Sequence, residues 1–139
     1  MLAGMESPHS AVAAQPILVA LMCENPIVYQ SLSSRLAAAE AIHVVDAIDC
    51  QLDNVPLVVA ENPDVVILGI ARITHFNLLV CQAIRQASAQ TRIVVLPSYE
   101  ADPIELQEAR EAGASAILLK NIDTPKLVDQ IHALVNSSA

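Results

Sequence analysis

Few side chains in this 139-residue chain have the type and spacing to do chemistry. The pair Cys23-Glu24 follows the apolar run 17–22 and sets a thiol beside a carboxylate. A thiol at a strand's carboxyl end with a lysine close by is a candidate redox sensor, because a neighbouring cation lowers its pKa. The other reading of Cys23 is a small buried hydrophobe. Arg72 and His75, in the stretch 71–77, are candidates for holding an anionic ligand, although no glycine-rich phosphate loop accompanies them. Ile73 and Phe76 in the same stretch offer an apolar patch for a partner, against the commoner arrangement of a single aromatic tucked against its own domain.

Other chemistries lack their parts. Cys23, Cys50 and Cys81 are an odd number without CxxC spacing, which suggests neither a disulfide framework nor a zinc site and fits a reducing, cytoplasmic compartment. Cys50 and Cys81 read as helix-packing or loop residues. His9, His43, His75 and His132 are spread without metal-ligand spacing. A net charge of -8, with seven basic residues scattered and never in a run, argues against direct contact with nucleic acid. No stretch reaches the roughly 18 apolar residues of a membrane span, so no membrane association is expected.

The elements that must position these residues follow from hydrophobic patterning. With 54% hydrophobic residues but only Tyr29, Phe76 and Tyr99 as aromatics, the core must be built from aliphatic side chains, which suits parallel strands covered on both faces. Strand and helix signals alternate five times, the pattern of a doubly wound α/β domain with its site at the strands' carboxyl ends. Strands are expected at 17–22, 43–48 (a more polar edge), 65–70, 92–96 and 116–120. Asn25 and Pro26 are suited to cap and open the first helix. Pro56 limits the second to 55–62, and the third is expected at 77–86. Asp102, Pro103 and Glu105 form a capping box for the fourth, which ends near Gly113. Thr124-Pro125 opens the last, whose apolar stripe is Leu127, Ile131, Leu134 and Val135. Residues 1–15 read as a flexible tail, 16–135 as one domain, and 136–139 as a linker or terminus.

The strand Pro63-Asp64-Val65-Val66-Ile67-Leu68-Gly69-Ile70 and the segment Gly113-Ala114-Ser115-Ala116-Ile117-Leu118-Leu119-Lys120 closely resemble the third strand, and the fifth strand with its signature lysine, of bacterial response-regulator receiver domains of the NarL/LuxR-type branch. The resemblance covers residues 16–135. It implies a single (βα)5 flavodoxin-like, CheY-like domain with a five-stranded parallel sheet. It also implies a phosphorylation pocket, and here that pocket is degenerate. Gly69 stands where the family carries its phosphoaccepting Asp. Cys23-Glu24 matches the acidic pair that helps hold Mg²⁺, leaving one carboxylate, so no metal and no cofactor is expected. Pro97 matches the hydroxyl residue after the fourth strand, with Ser98 one residue out of register. Ile117 takes the place of the aromatic switch residue.

Lys120 matches the lysine that pairs with the phosphoryl group. Two readings of it stand: an ion pair with Glu24 that holds the pocket in one state, or a side chain that caps the strand end and points to water. The loop 71–77 departs from the family in carrying Ile73, Thr74 and Asn77 where a Pro-Gly step and a later Gly are usual.

The resemblance therefore implies a phosphorylation-independent pseudo-receiver, not an enzyme, that acts in two-component signal transduction through a protein partner or a homodimer. Its contact surface would be the face of the fourth helix, fifth strand and fifth helix, or the first and fifth helices. This branch usually carries a DNA-binding helix-turn-helix domain after the receiver, which implies the N-terminal regulatory part of a LuxR-type transcription regulator. The alternatives are a stand-alone adaptor, or a small-molecule sensor whose vacated pocket takes an anion through Lys120 and Arg72.

Overall fold

The computed structural model of the chain describes residues 15–119 and 121–136. Almost all of the expected tail, the signature Lys120 and residues 137–139 lie outside them.

Three strands carry uninterrupted apolar runs and are buried along nearly their whole length: β1 (Ile17–Cys23), β3 (Val65–Ile70) and β4 (Arg92–Pro97). Burial on both faces is what such runs specify, and they form the centre of a parallel sheet. The more polar β2 (Ile42–Asp49) and the short β5 (Ala116–Ile117) are its edges, in the order β2-β1-β3-β4-β5.

Alternate residues of each strand supply two separate cores. Val19, Leu21, Cys23, Val65, Ile67, Val94 and Leu96 point to one face and pack with Leu32 and Leu36 of α1 (Pro26–Ala37) and Leu127 and Ile131 of α5 (Thr124–Asn136). Ala20, Met22, Val66, Leu68, Ile93 and Val95 point to the other. They meet Val55 and Val58 of α2 (Val55–Ala60), Val80, Cys81 and Ile84 of α3 (His75–Ala87), and Ala109 and Ala112 of α4 (Pro103–Ala112). Each large aliphatic side chain buried in these layers contributes about 1.5–3 kcal/mol. Truncating one of them, as in Ile67→Ala, costs about 2–5 kcal/mol through the cavity it leaves.

Local signals set most helix ends. The Asn25 side chain accepts from the Ile27 amide at 2.9 Å, ahead of Pro26. Both bonds of the Asp102–Glu105 capping box form, at 2.8 and 3.0 Å. Gly113 ends α4 with φ of 120°, where an added Cβ would also lie 2.7 Å from Arg85 Cδ.

Three expected boundaries shift by two residues or more. α2 stops at Ala60, not residue 62, because Asn62 adopts a left-handed φ of 53° just before Pro63; a 3-10 turn, Leu52–Asn54, leads into it. α3 begins at His75, not residue 77, because Thr74 is its cap and its Oγ1 accepts from the Asn77 amide at 3.2 Å. β5 pairs only through Ala116 and Ile117, with one further bond from the Leu118 amide to the Val95 carbonyl at 2.9 Å.

Candidate functional site

In a sheet of this order the crevice lies between the carboxyl ends of β1 and β3, where successive connections leave in opposite directions. Cys23 and Gly69 end those strands side by side in register. The two were singled out separately in the sequence, and the structure joins them. A Cβ placed on Gly69 would lie 2.8 Å from Cys23 Sγ, closer than real contacts allow, and a tight 3.3 Å from Val28 Cγ1. The thiol, fully buried, thus fills the space into which a side chain at position 69 would project. Gly69 is required here for close approach and not for backbone conformation.

The neighbouring carboxylate is engaged. The Glu24 amide donates to the Gly69 carbonyl at 2.9 Å, and Glu24 Oε1 accepts from the Ala71 amide at 2.7 Å. Its Oε2 accepts a longer bond, 3.5 Å, from Asn77 Nδ2. The same amide nitrogen donates to the Arg72 carbonyl at 2.9 Å, and Asn77 Oδ1 receives the weak Cys50 thiol donor at 3.9 Å. Asn77 is 2% exposed, so these partners are what makes its burial tolerable.

From the other side, Ala71 is held by the loop that follows β4. Its carbonyl accepts from the Ser98 and Tyr99 amides, both at 3.1 Å, and the Ser98 amide also reaches the Ile70 carbonyl at 2.9 Å. The Arg72 guanidinium lies over the Tyr99 ring, 4.6 Å from its centroid, a cation–π contact that joins the β3–α3 and β4–α4 loops. The residue proposed for an anion is thereby paired with an aromatic face.

The other site residues are spread around this centre. Pro97 is buried at the end of β4 opposite Ile70, and Ser98 is exposed beyond it. Ile117 is half-buried and lines, with Pro97, Leu106 and Leu118, an apolar cleft of about 120 Å³. Lys120, and with it the expected Glu24–Lys120 pair, falls outside the described residues. Ile73 is a core residue, whereas Phe76 is 45% exposed and borders an open cleft with Glu24, Pro26, Asp49, Cys50 and Gln51. The tucked-in arrangement considered for Phe76 is therefore not what the first turn of α3 produces: Thr74 starts the helix early and turns Asn77 inward and Phe76 outward.

None of the three cysteines is in a disulfide, and all are buried. Burial pushes the Cys50 thiol up to about 12, with the Glu24 charge adding to it, and raises Cys81 to about 11. Both are held as thiols far from the range of reactive thiolates.

Against a hard dication, the donors at the crevice fit poorly. Glu24, already receiving two N–H donors, Asp49 across the adjoining cleft, a thiol packed on a glycine and a proline do not make the oxygen set that Mg²⁺ needs. Among the described residues no group of three or more His, Cys, Asp or Glu is placed to hold a metal ion, and no helix is long and apolar enough to cross a membrane.

A parallel β2-β1-β3-β4-β5 sheet with its crevice beside the β1 and β3 ends defines a receiver-type α/β domain. The response regulator receiver domain family matches residues 19–132, and the chain belongs to that family. Among solved structures it is similar to the signal receiver domain of the response regulator NarL from Mycobacterium tuberculosis, with 21% identity, a TM-score of 0.78, and coverage of 88% of this chain and 98% of that one. A LuxR-family DNA-binding response regulator from Staphylococcus aureus matches with 21% identity and a TM-score of 0.74, over 86% of this chain and 99% of that one. The response regulator domain of Thermotoga maritima CheB matches with 19% identity and a TM-score of 0.76, over 90% of this chain and all of that one. At these identities the likeness is one of fold. No curated protein sequence matches the chain significantly.

Proposed function

We propose that this chain is a phosphorylation-independent receiver that acts by protein contact, as the N-terminal regulatory part of a LuxR-type transcription regulator. The observation that carries this reading is the packing of Cys23 Sγ against Gly69. Position 69 has no nucleophile, and the volume a carboxylate would need there is filled by sulfur. Without an attacking oxygen no phosphoryl group can be accepted, and with one engaged carboxylate no Mg²⁺ is held to assist it.

The LuxR-type part of the reading rests on the sequence resemblance and on the similarity to the DNA-binding regulator from Staphylococcus aureus. The net charge of -8 argues against nucleic-acid contact by this segment itself. The output of this domain is then association with a partner or a second copy, in a cytoplasmic signalling pathway.

Two measurements on the purified chain test this. Sedimentation equilibrium without Mg²⁺ or phosphodonor should show a defined dimer; a strict monomer would remove the homodimer and leave a heterologous partner. Amide NMR spectra with and without Mg²⁺ and beryllium fluoride, which mimics a bound phosphoryl group on an aspartate, should superimpose. Shifts concentrated at the β1 and β3 ends would sink the proposal.

A further inference from the structure

We propose that Asn77 is a positioning residue that locks the carboxyl-end loops in a single conformation and thereby sets the exposed Phe76 beside them. The inference rests on the phosphorylation-independent reading for its purpose, but its geometry stands alone. Asn77 and Thr91 are the buried polar residues among those described, and Asn77 lies at the crevice. Its amide nitrogen bonds to Glu24 of the β1–α1 loop and to the Arg72 carbonyl of the β3–α3 loop, while its oxygen takes the thiol of Cys50 beyond β2. Three connections, the farthest of them 53 residues from Asn77 in sequence, converge on one side chain.

The lock has a second half. Glu24 is held by Asn77 and in turn holds the Ala71 amide, and the Ala71 carbonyl is held by Ser98 and Tyr99. The chain of bonds therefore runs from α3 through the β1 end and back across the β3–α3 loop to the β4–α4 loop. A buried network satisfied in this way rigidifies its surroundings, because any rearrangement strands a polar group in a low-dielectric interior. In a domain that responds to a bound phosphoryl group these loops must have two arrangements. Here a side chain supplies the ties, so the loops have one. Phe76 directly precedes Asn77 in the first turn of α3, which fixes its ring at the rim of the cleft that Glu24 and Asp49 line.

Hydrogen exchange of the full chain, followed by mass spectrometry, reads the lock directly. With Asn77→Ala, amides in residues 24–25 and 71–78 should exchange about tenfold faster or more, while β4 and α5 keep wild-type rates. Wild-type exchange in those loops would overturn the proposal, and so would a uniform rise across β4 and α5, which would make Asn77 a contributor to global stability only. Should Asn77→Ala fail to fold, Asn77→Ser keeps a small polar side chain too short to bridge Glu24 and Arg72, and the same local increase is expected. A Glu24→Ala/Asn77→Ala cycle adds a readout that mere packing would not move: the double variant should exchange no faster than the more affected single, and additive effects would contradict a shared lock. Phosphoryl labelling of the wild-type chain would overturn the functional reading and leave the lock standing.

Discussion

Cys23 Sγ and the Cα of Gly69 are packed so closely across the β1–β3 pairing that a methyl group on Gly69 would sit 2.8 Å from the sulfur. Each residue accounts for the other. The thiol is tolerated at a fully buried strand end because its neighbour has no side chain, and the glycine leaves no cavity because the thiol fills it. Cys23 has a single rotatable bond and no solvent to swing into, so the sulfur cannot yield cheaply.

Substituting Gly69 tests this pairing. Gly69→Ala should destabilise the domain by about 1–3 kcal/mol through overpacking, although Gly→Ala at an unstrained position is ordinarily neutral or stabilising. Adding Cys23→Ala should recover most of the loss. Urea midpoints of the single and double variants check it, and equal losses in both would show that the sulfur is not the obstacle. Gly69→Asp alone should be worse than Gly69→Ala, since it brings an unpaired carboxylate into the same space.

Much of this architecture is legible in the sequence because its signals are local. Asn25-Pro26, Asp102-Pro103-Glu105 and Gly113 each act within a few residues, and the runs 17–22 and 65–70 declare buried strands directly. Thr74 carries a local signal of its own: as an N-cap three residues before Asn77, it places Asn77 at the third helical position and not at the first. The early stop of β5 depends on pairing with β4 and leaves no mark in its own composition. Gly69 and Cys23 stand out individually as departures from a family pattern, but that one fills the space of the other follows only from strand register. The convergence of Glu24, Cys50 and Arg72 on Asn77 is likewise set by packing of distant segments, and nothing in residues 71–77 alone announces it.

Stability should decline at alkaline pH, and the sign follows from the thiols. Burial pushes the Cys50 thiol up to about 12 and the Cys81 thiol up to about 11 in the folded chain, against an ordinary value of 9.0. The unfolded chain therefore loses these protons first. The stabilisation is fully present below pH 9 and is lost progressively as the pH rises toward the folded values. Urea midpoints measured from pH 8 to pH 11 should fall, and Cys50→Ala should flatten the slope while lowering the midpoint at neutral pH.

The α4 cap gives a prediction independent of the site. Asp102→Ala removes the bond that the Glu105 amide donates to the Asp102 carboxylate, leaves the Asp102 amide bonded to Glu105, and should cost about 1 kcal/mol, with no effect on the crevice. Thermal unfolding checks the first part, and unchanged exchange at residues 24–25 and 71–78 checks the second.

The Arg72–Tyr99 stack is exposed and should contribute little. Tyr99→Ala should lower stability by about 0.5–1 kcal/mol, because the backbone bonds from the Ser98 and Tyr99 amides to Ala71 remain. A larger loss in denaturant unfolding would mean that the ring, not the backbone, secures the β3–α3 loop.

Under the proposed reading this receiver takes no phosphoryl group. Intact-mass measurement of the chain after incubation with acetyl phosphate and Mg²⁺ tests it most directly. An unmodified mass, with the same sedimentation behaviour before and after, is the predicted result. A stable product heavier by one phosphoryl group would contradict the account outright.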